Sequence, residues 1–199
     1  MFESLELQPQ TTMLTYQNDP LMKQMSLAAV RVERTTGFPA MVTLAMSANE
    51  SGWWKKVTGD FNYWGITRSP EDGPAKMCPT HEDITPAQLS SFRPDEQATA
   101  VQTTALGNGR FRYTMSRWFA SYASLEESLT AYTEFFTKSP KRYLSAWTQY
   151  QSDHDAEALL KNICEAGYAT GPAETVELAI EHQSNIQDAV TQANQELAA

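Results

Sequence analysis

The strongest constraint on the fold is a change of period along the chain. Helix-period stripes of apolar residues occupy both ends, and between them, from about 59 to 118, lies a stretch rich in Gly, Pro and Asp with strand-like pieces. Asp19-Pro20 supplies an N-cap followed by Pro at the first helical position. Leu21, Met25, Ala28, Ala29 and Val32 then share one helix face. After Thr36-Gly37, Pro39 opens a second helix, with Met41, Leu44, Ala45 and Ala48 at i, i+3, i+4 and i+7, and this stripe stops at Gly52. Glu50 therefore falls in the last turn of a buried amphipathic helix, an unusual place for a carboxylate that only decorates a surface.

In the middle stretch the best strand is 110–119, where Phe111, Tyr113 and Met115 alternate with Arg112, Thr114 and Ser116. Gly107-Asn108-Gly109 before it is a turn sequence. Pro79-Thr80-His81-Glu82 reads as a strand ending at a cleft, and 85–100 as a short helix or a loop. Helices resume at Ser124, where Ser124-Leu125-Glu126-Glu127 fits a capping box and Leu125, Leu129, Tyr132 and Phe136 form the stripe, until Pro140 breaks it. A further helix from about Asp155 to Glu165 stops at Gly167. Pro172 starts the last one, which carries Val176, Ile180 and Val190. Residues 1–18 read as a polar arm and 19–199 as one domain, since 199 residues supply a single real core rather than two. The expected fold is α+β, mainly α, with a small β-hairpin lobe over a cleft.

Charge narrows the function. With 24 acidic against 15 basic side chains the net charge is −9, and no Lys/Arg cluster offers nucleic acid a basic face. An anionic wall polymer would have to be gripped by local contacts in a groove. No apolar run approaches the roughly 20 residues of a membrane span, and Met1-Phe2-Glu3-Ser4-Leu5-Glu6 lacks the basic and apolar regions of a secretory signal. Two cysteines, Cys78 and Cys164, and three scattered histidines make no metal motif, so no metal or cofactor is expected.

Short blocks fall in a recognisable order: Ala48-Asn49-Glu50-Ser51-Gly52-Trp53, Asn62-Tyr63-Trp64-Gly65-Ile66, Pro79-Thr80-His81-Glu82, Phe119-Ala120-Ser121-Tyr122, Pro140-Lys141-Arg142-Tyr143 and Gly167-Tyr168-Ala169-Thr170. Each alone is weak, but the ordered set, spanning roughly 20–190, resembles the glucosaminidase family of bacterial peptidoglycan hydrolases (glycoside hydrolase family 73). Thr67, Ala120 and Gly171-Pro172 depart from the residues usual at their places in that family, and the hairpin segment is longer, by roughly 83–108.

The resemblance implies a lysozyme-like fold and cleavage of the β-1,4 bond after N-acetylglucosamine in peptidoglycan glycan strands. It makes Glu50 the general acid, and a desolvated carboxyl beside Trp53 and Trp54 would stay protonated near neutral pH. It makes Tyr168 an active-site tyrosine that positions an acetamido group or a water. A second carboxylate on the hairpin, in a Thr-x-Glu context, falls on Glu82. A competing alignment through Thr103-Thr104 would put Ala105 there, and Glu96 is the outsider. Trp53, Asn62, Tyr63, Trp64 and Tyr122 are the expected substrate-binding residues. Sugar C–H faces stack on aromatic rings, although about half of the set Trp53, Trp54, Tyr63, Trp64, Trp118 and Tyr122 is expected in the core. Alternatives are a non-catalytic wall-binding or assembly module and a muramidase or lytic transglycosylase. Without a Sec signal, secretion or delivery to the periplasm by another route is expected, as an antibacterial effector (of a type VI system, for example) with an immunity protein as partner. Cys78 and Cys164 would be close enough for a disulfide if their blocks face one cleft.

Overall fold

The computed structural model describes residues 15–138, 141–168 and 183–199. Its helical body is built from α1 (Pro20–Thr36), α2 (Ala40–Ser51), α5 (Leu125–Thr137), α6 (Leu144–Asp153), α7 (Ala156–Glu165) and α8 (Gln183–Glu196). Between α2 and α5 a three-stranded antiparallel sheet is formed by β1 (Ala75–Ile84), β2 (Val101–Gly107) and β3 (Arg110–Ala120), in the order β1-β3-β2, with two four-residue helical turns, α3 (Pro86–Leu89) and α4 (Pro94–Gln97), between β1 and β2. The expected mainly helical, lysozyme-like α+β architecture with a small sheet lobe is the one observed.

Local rules explain the body. Asp19 Oδ1 accepts from the amides of Leu21 and Met22 at the start of α1, and Gly37 ends that helix at φ 76°. Ser124 caps α5 through the amide of Glu127. The returning Glu127 carboxylate takes the Ala123 amide, one residue beyond the expected capping box. Every residue of α2 from Ala40 to Ala48 is buried. It runs through the centre of the core because α1, α7 and α8 pack around it. Tyr16, in the expected arm, is buried, with its hydroxyl on Glu196 at 2.9 Å. Pro140 and the segment carrying Pro172, Val176 and Ile180 lie outside the described residues, whereas Val190 is buried in α8 as expected.

The lobe differs from the sequence reading in two ways. β1 runs two residues past Glu82, so that residue sits inside the strand opposite Tyr113 rather than at its end. β1 pairs with β3 over its whole length, from Ala75 opposite Ala120 to Ile84 opposite Phe111. The long hairpin is therefore β1–β3, and 85–109 is an insertion at its tip. Beyond the start of β2, the edge of β3 is satisfied by that insertion: Thr99 Oγ1 accepts from the Ser116 amide at 2.8 Å and Glu96 Oε1 from the Trp118 amide at 2.9 Å.

Candidate active site

Glu50 occupies the final turn of α2, and the chain leaves that helix by an unusual turn. Gly52, Trp53 and Trp54 are three consecutive left-handed residues, at φ 58°, 59° and 58°. Left-handed backbone is costly for bulky side chains and persists only where the surroundings over-determine it. Here they do. Ser51 Oγ accepts from the Trp54 amide at 2.7 Å, Ser47 Oγ accepts from Trp54 Nε1 at 2.8 Å, and the Trp53 amide donates to Ala48 O at 2.7 Å. The turn reverses the chain directly after Glu50 and seats Trp54 in the core, leaving Trp53 half-buried and edge-on to it at 5.7 Å.

The Glu50 side chain is open to solvent on one side, yet enough protein surrounds the carboxyl that burial raises its pKa above the ordinary glutamate value. No neighbouring charge contributes to that shift. The C-terminal carbonyls of α2 act in the same sense, since the negative end of a helix disfavours an anion. Tyr168, Tyr132 and Cys164 are near enough to Glu50 to feel its charge. The Tyr168 hydroxyl accepts from the Tyr132 hydroxyl at 2.9 Å. Burial first, and then the Glu50 charge, raise the Tyr168 pKa. Its ring is held edge-on by Phe136 at 5.1 Å and Tyr132 at 6.2 Å. Glu50 and Tyr168 are thus brought to one place. Tyr132 is legible in the sequence only as part of the α5 stripe, because its partners lie 36 and 68 residues away: Tyr168 on one side and, stacked at 4.6 Å, Trp64 on the other.

The loop of the second block is a clamp. Asn62 is 1% exposed. Its side-chain nitrogen donates to Ile66 O and Ala120 O at 2.8 and 3.0 Å, and its oxygen accepts from the Ile66 amide at 3.1 Å. Next to it, a Cβ on Gly59 would meet Ala120 O at 2.4 Å, so only glycine fits where loop and β3 touch. Trp64 and Tyr122 are buried as well, with Arg68 over the Tyr122 ring at 5.1 Å. Asn62, Trp64 and Tyr122, expected at the substrate, therefore stand in the interior and fix the loop, because this part of the chain has few aliphatic side chains to fill it. Trp53 and Tyr63 are half-buried and keep part of their rings at the surface. Of the six aromatics singled out, Trp54, Trp64 and Tyr122 are core and Trp53, Tyr63 and Trp118 are not.

Glu82 stands on β1 with Oε1 3.1 Å from Arg117 Nη1. Glu96 is not a solvated surface residue but a buried acceptor, 4% exposed, on the Trp118 and Arg93 amides. Ala105 is exposed on β2, within the insertion. Among the described residues no group of three His, Cys, Asp or Glu side chains could hold a metal, and no helix is long and apolar enough to cross a membrane.

Both cysteines are free thiols. Cys78 Sγ accepts from the Gly59 amide at 3.2 Å, and Cys164 is buried in α7, its pKa pushed up to about 11 by burial and then by Glu50. A disulfide reagent at neutral pH is expected to label Cys78 in the native protein and Cys164 only after unfolding, since the thiolate is the reactive form. Absence of both thiols in protein unfolded without reductant would instead reveal a disulfide.

The fold and the site together define a lysozyme-like domain with a desolvated glutamic acid at the end of its central helix, the arrangement of a glycoside hydrolase. Residues 26–187 match the glucosaminidase family, described as mannosyl-glycoprotein endo-beta-N-acetylglucosaminidase, and the chain belongs to that family. It is 27% identical over 179 residues to peptidoglycan hydrolase FlgJ of Escherichia coli K12, covering 85% of this chain and 48% of the relative. It thus spans about half the length of that curated protein. Similar folds include the catalytic domain of the autolysin Auto from Listeria monocytogenes (TM-score 0.58, 18% identity, 84% of this chain and 85% of that one). Another is the glycoside hydrolase domain of Salmonella typhimurium FlgJ (TM-score 0.55, 19% identity, 89% and 95%).

Proposed function

We propose that the chain is a peptidoglycan hydrolase, an endo-β-N-acetylglucosaminidase that cleaves the β-1,4 bond after N-acetylglucosamine, with Glu50 as its general acid. The observation that carries this reading is the raised pKa of Glu50 at the end of α2, in a chain of the glucosaminidase family. The substrate is suggested by the names of the relatives.

Glycosidic oxygen is a poor leaving group, so Glu50 in its acid form donates a proton to it as the C–O bond breaks. Tyr168 positions the acetamido group or the water, and Trp53 and Tyr63 offer ring surface to the sugars. Glu82 is the second carboxylate. It lies on the long β1–β3 hairpin opposite Tyr113, with the insertion behind it. In this reading Glu82 activates the water or steadies the transition state as the bond breaks. Zymography on purified peptidoglycan tests the activity: a cleared band supports it, and binding without clearing would make the chain a wall-binding module.

The substrate lies outside the inner membrane, and the setting proposed is delivery to the periplasm as an antibacterial effector, with an immunity protein in the producing cell. Expression behind a periplasmic signal is expected to lyse cells, whereas cytoplasmic expression is tolerated. Equal tolerance of both would contradict the effector reading.

A further inference from the structure

The guanidinium of Arg117 is the centre of a cluster that the insertion builds on the sheet lobe. Its Nη1 lies 3.1 Å from Glu82 Oε1, its Nε 3.8 Å from Glu96 Oε1, and its plane sits over the Phe92 ring at 4.2 Å from the centroid. Phe92 and Glu96 both come from 85–100, the segment between β1 and β2. Phe92 is in turn packed on the small lobe core of Ile84, Tyr113 and Met115. Glu96 is pinned by the amides of Trp118 and Arg93, so it cannot turn away. Arg117 is therefore held by Phe92 and Glu96 as well as by Glu82. Arg117 springs from β3 opposite Cys78, four residues along β1 from Glu82, and so reaches diagonally across the lobe to that carboxylate. Its side chain is 19% exposed and that of Glu82 23%, which puts the pair at the edge of the lobe rather than in open solvent.

We propose that Arg117 is a positioning residue for Glu82, and that the Phe92–Glu96 insertion serves to hold Arg117 in place. This rests on the reading of Glu82 as the second carboxylate. A planar guanidinium stacked on a ring fixes both the direction and the distance of the carboxylate it binds, which an ammonium on a flexible stem does not. The geometry of a group that must aim a water at an anomeric carbon is worth a large factor in rate, because misplacement by about 1 Å can cost 10²-fold.

The test is a set of variants assayed on solubilised glycan strands. Arg117→Gln is expected to lower kcat about 10-fold or more with KM changed less than about 2-fold. Arg117→Lys is expected to recover part of the loss. In a Glu82→Gln background Arg117→Gln is expected to add nothing, since what it positions is already gone. Glu96→Gln keeps an acceptor for the Trp118 and Arg93 amides but removes the charge beside Arg117 Nε, so it is expected to fold and to lower kcat in the same direction as Arg117→Gln, by a smaller factor. If Arg117→Gln is insoluble, Arg117→Lys alone and in the Glu82→Gln background gives the same cycle. A loss that multiplies with Glu82→Gln, or an unchanged kcat in a folded Arg117 variant, overturns the proposal while Glu82 keeps its role. Full activity of Glu82→Gln itself overturns both.

Discussion

Glu50→Gln is expected to lower peptidoglycan cleavage by about 10²–10⁴-fold, the usual worth of a general acid, while the protein folds as before. The amide is nearly isosteric with the acid, and the turn after it is held by Ser47, Ser51 and Ala48, none of which uses the Glu50 carboxyl. The same substitution carries a stability signature. The pKa of Glu50 is raised in the folded chain, so the folded state favours the acid form. Its contribution is fully present below the unfolded glutamate value and is lost as pH rises through the raised one. Gln has no proton to lose. Glu50→Gln is thus expected to match the wild type in Tm near pH 4 and to exceed it near pH 8. Wild-type activity should fall over the same upper window as the acid form is depleted. A lower Tm for Glu50→Gln at pH 8 than at pH 4, relative to wild type, would contradict the desolvation account.

Asn62→Ala is expected to have the second large effect, this time on folding. Three hydrogen bonds at 2.8–3.1 Å converge on its amide inside the protein. They tie Ile66 and Ala120 together where the loop runs alongside β3. Removal takes the Asn62 bonds from the Ile66 amide and from the Ile66 and Ala120 carbonyls inside the protein, although the Ile66 carbonyl still accepts from the Ala120 amide. At roughly 1 kcal/mol per bond, and more for groups left buried and unsatisfied, the expected cost is about 3 kcal/mol. Denaturant unfolding measures it directly. Because the loop also carries Tyr63 and seats Trp64 on Tyr132, activity should fall with stability. A midpoint within about 0.5 kcal/mol of wild type, the scatter of an ordinary surface substitution, would show that the clamp is dispensable.

The features legible in the sequence are those that neighbours in sequence decide. The stripe of α2, its stop at Gly52 and the place of Glu50 all depend on residues within a few turns of one another. So do the Asp19 and Ser124 caps and the strand of Phe111, Tyr113 and Met115. α6 escapes a sequence reading because only Ala146 of its ten residues is buried, which leaves no stripe to read. β2 escapes it because the strand is exposed throughout and carries no alternation. Asn62, Trp64 and Tyr122 read as substrate contacts because a polar or aromatic side chain at a cleft and one in a core look alike in one dimension. The partners that place them inside, Ala120 for Asn62 and Tyr132 for Trp64, are 58 and 68 residues distant. The insertion is visible as extra length, but not that its Glu96 completes the edge of β3, since that pairing needs the register of the sheet.

The central claim, that this chain cuts peptidoglycan after N-acetylglucosamine through Glu50, is tested most directly by the reducing ends it creates. Purified peptidoglycan digested with the wild-type protein is reduced with borohydride, and the new terminal sugars are identified by mass spectrometry, with Glu50→Gln run alongside. The expected result is reduced N-acetylglucosamine at the new ends, absent from the Glu50→Gln digest. Reduced N-acetylmuramic acid, a 1,6-anhydro sugar, or equal release by Glu50→Gln would contradict it.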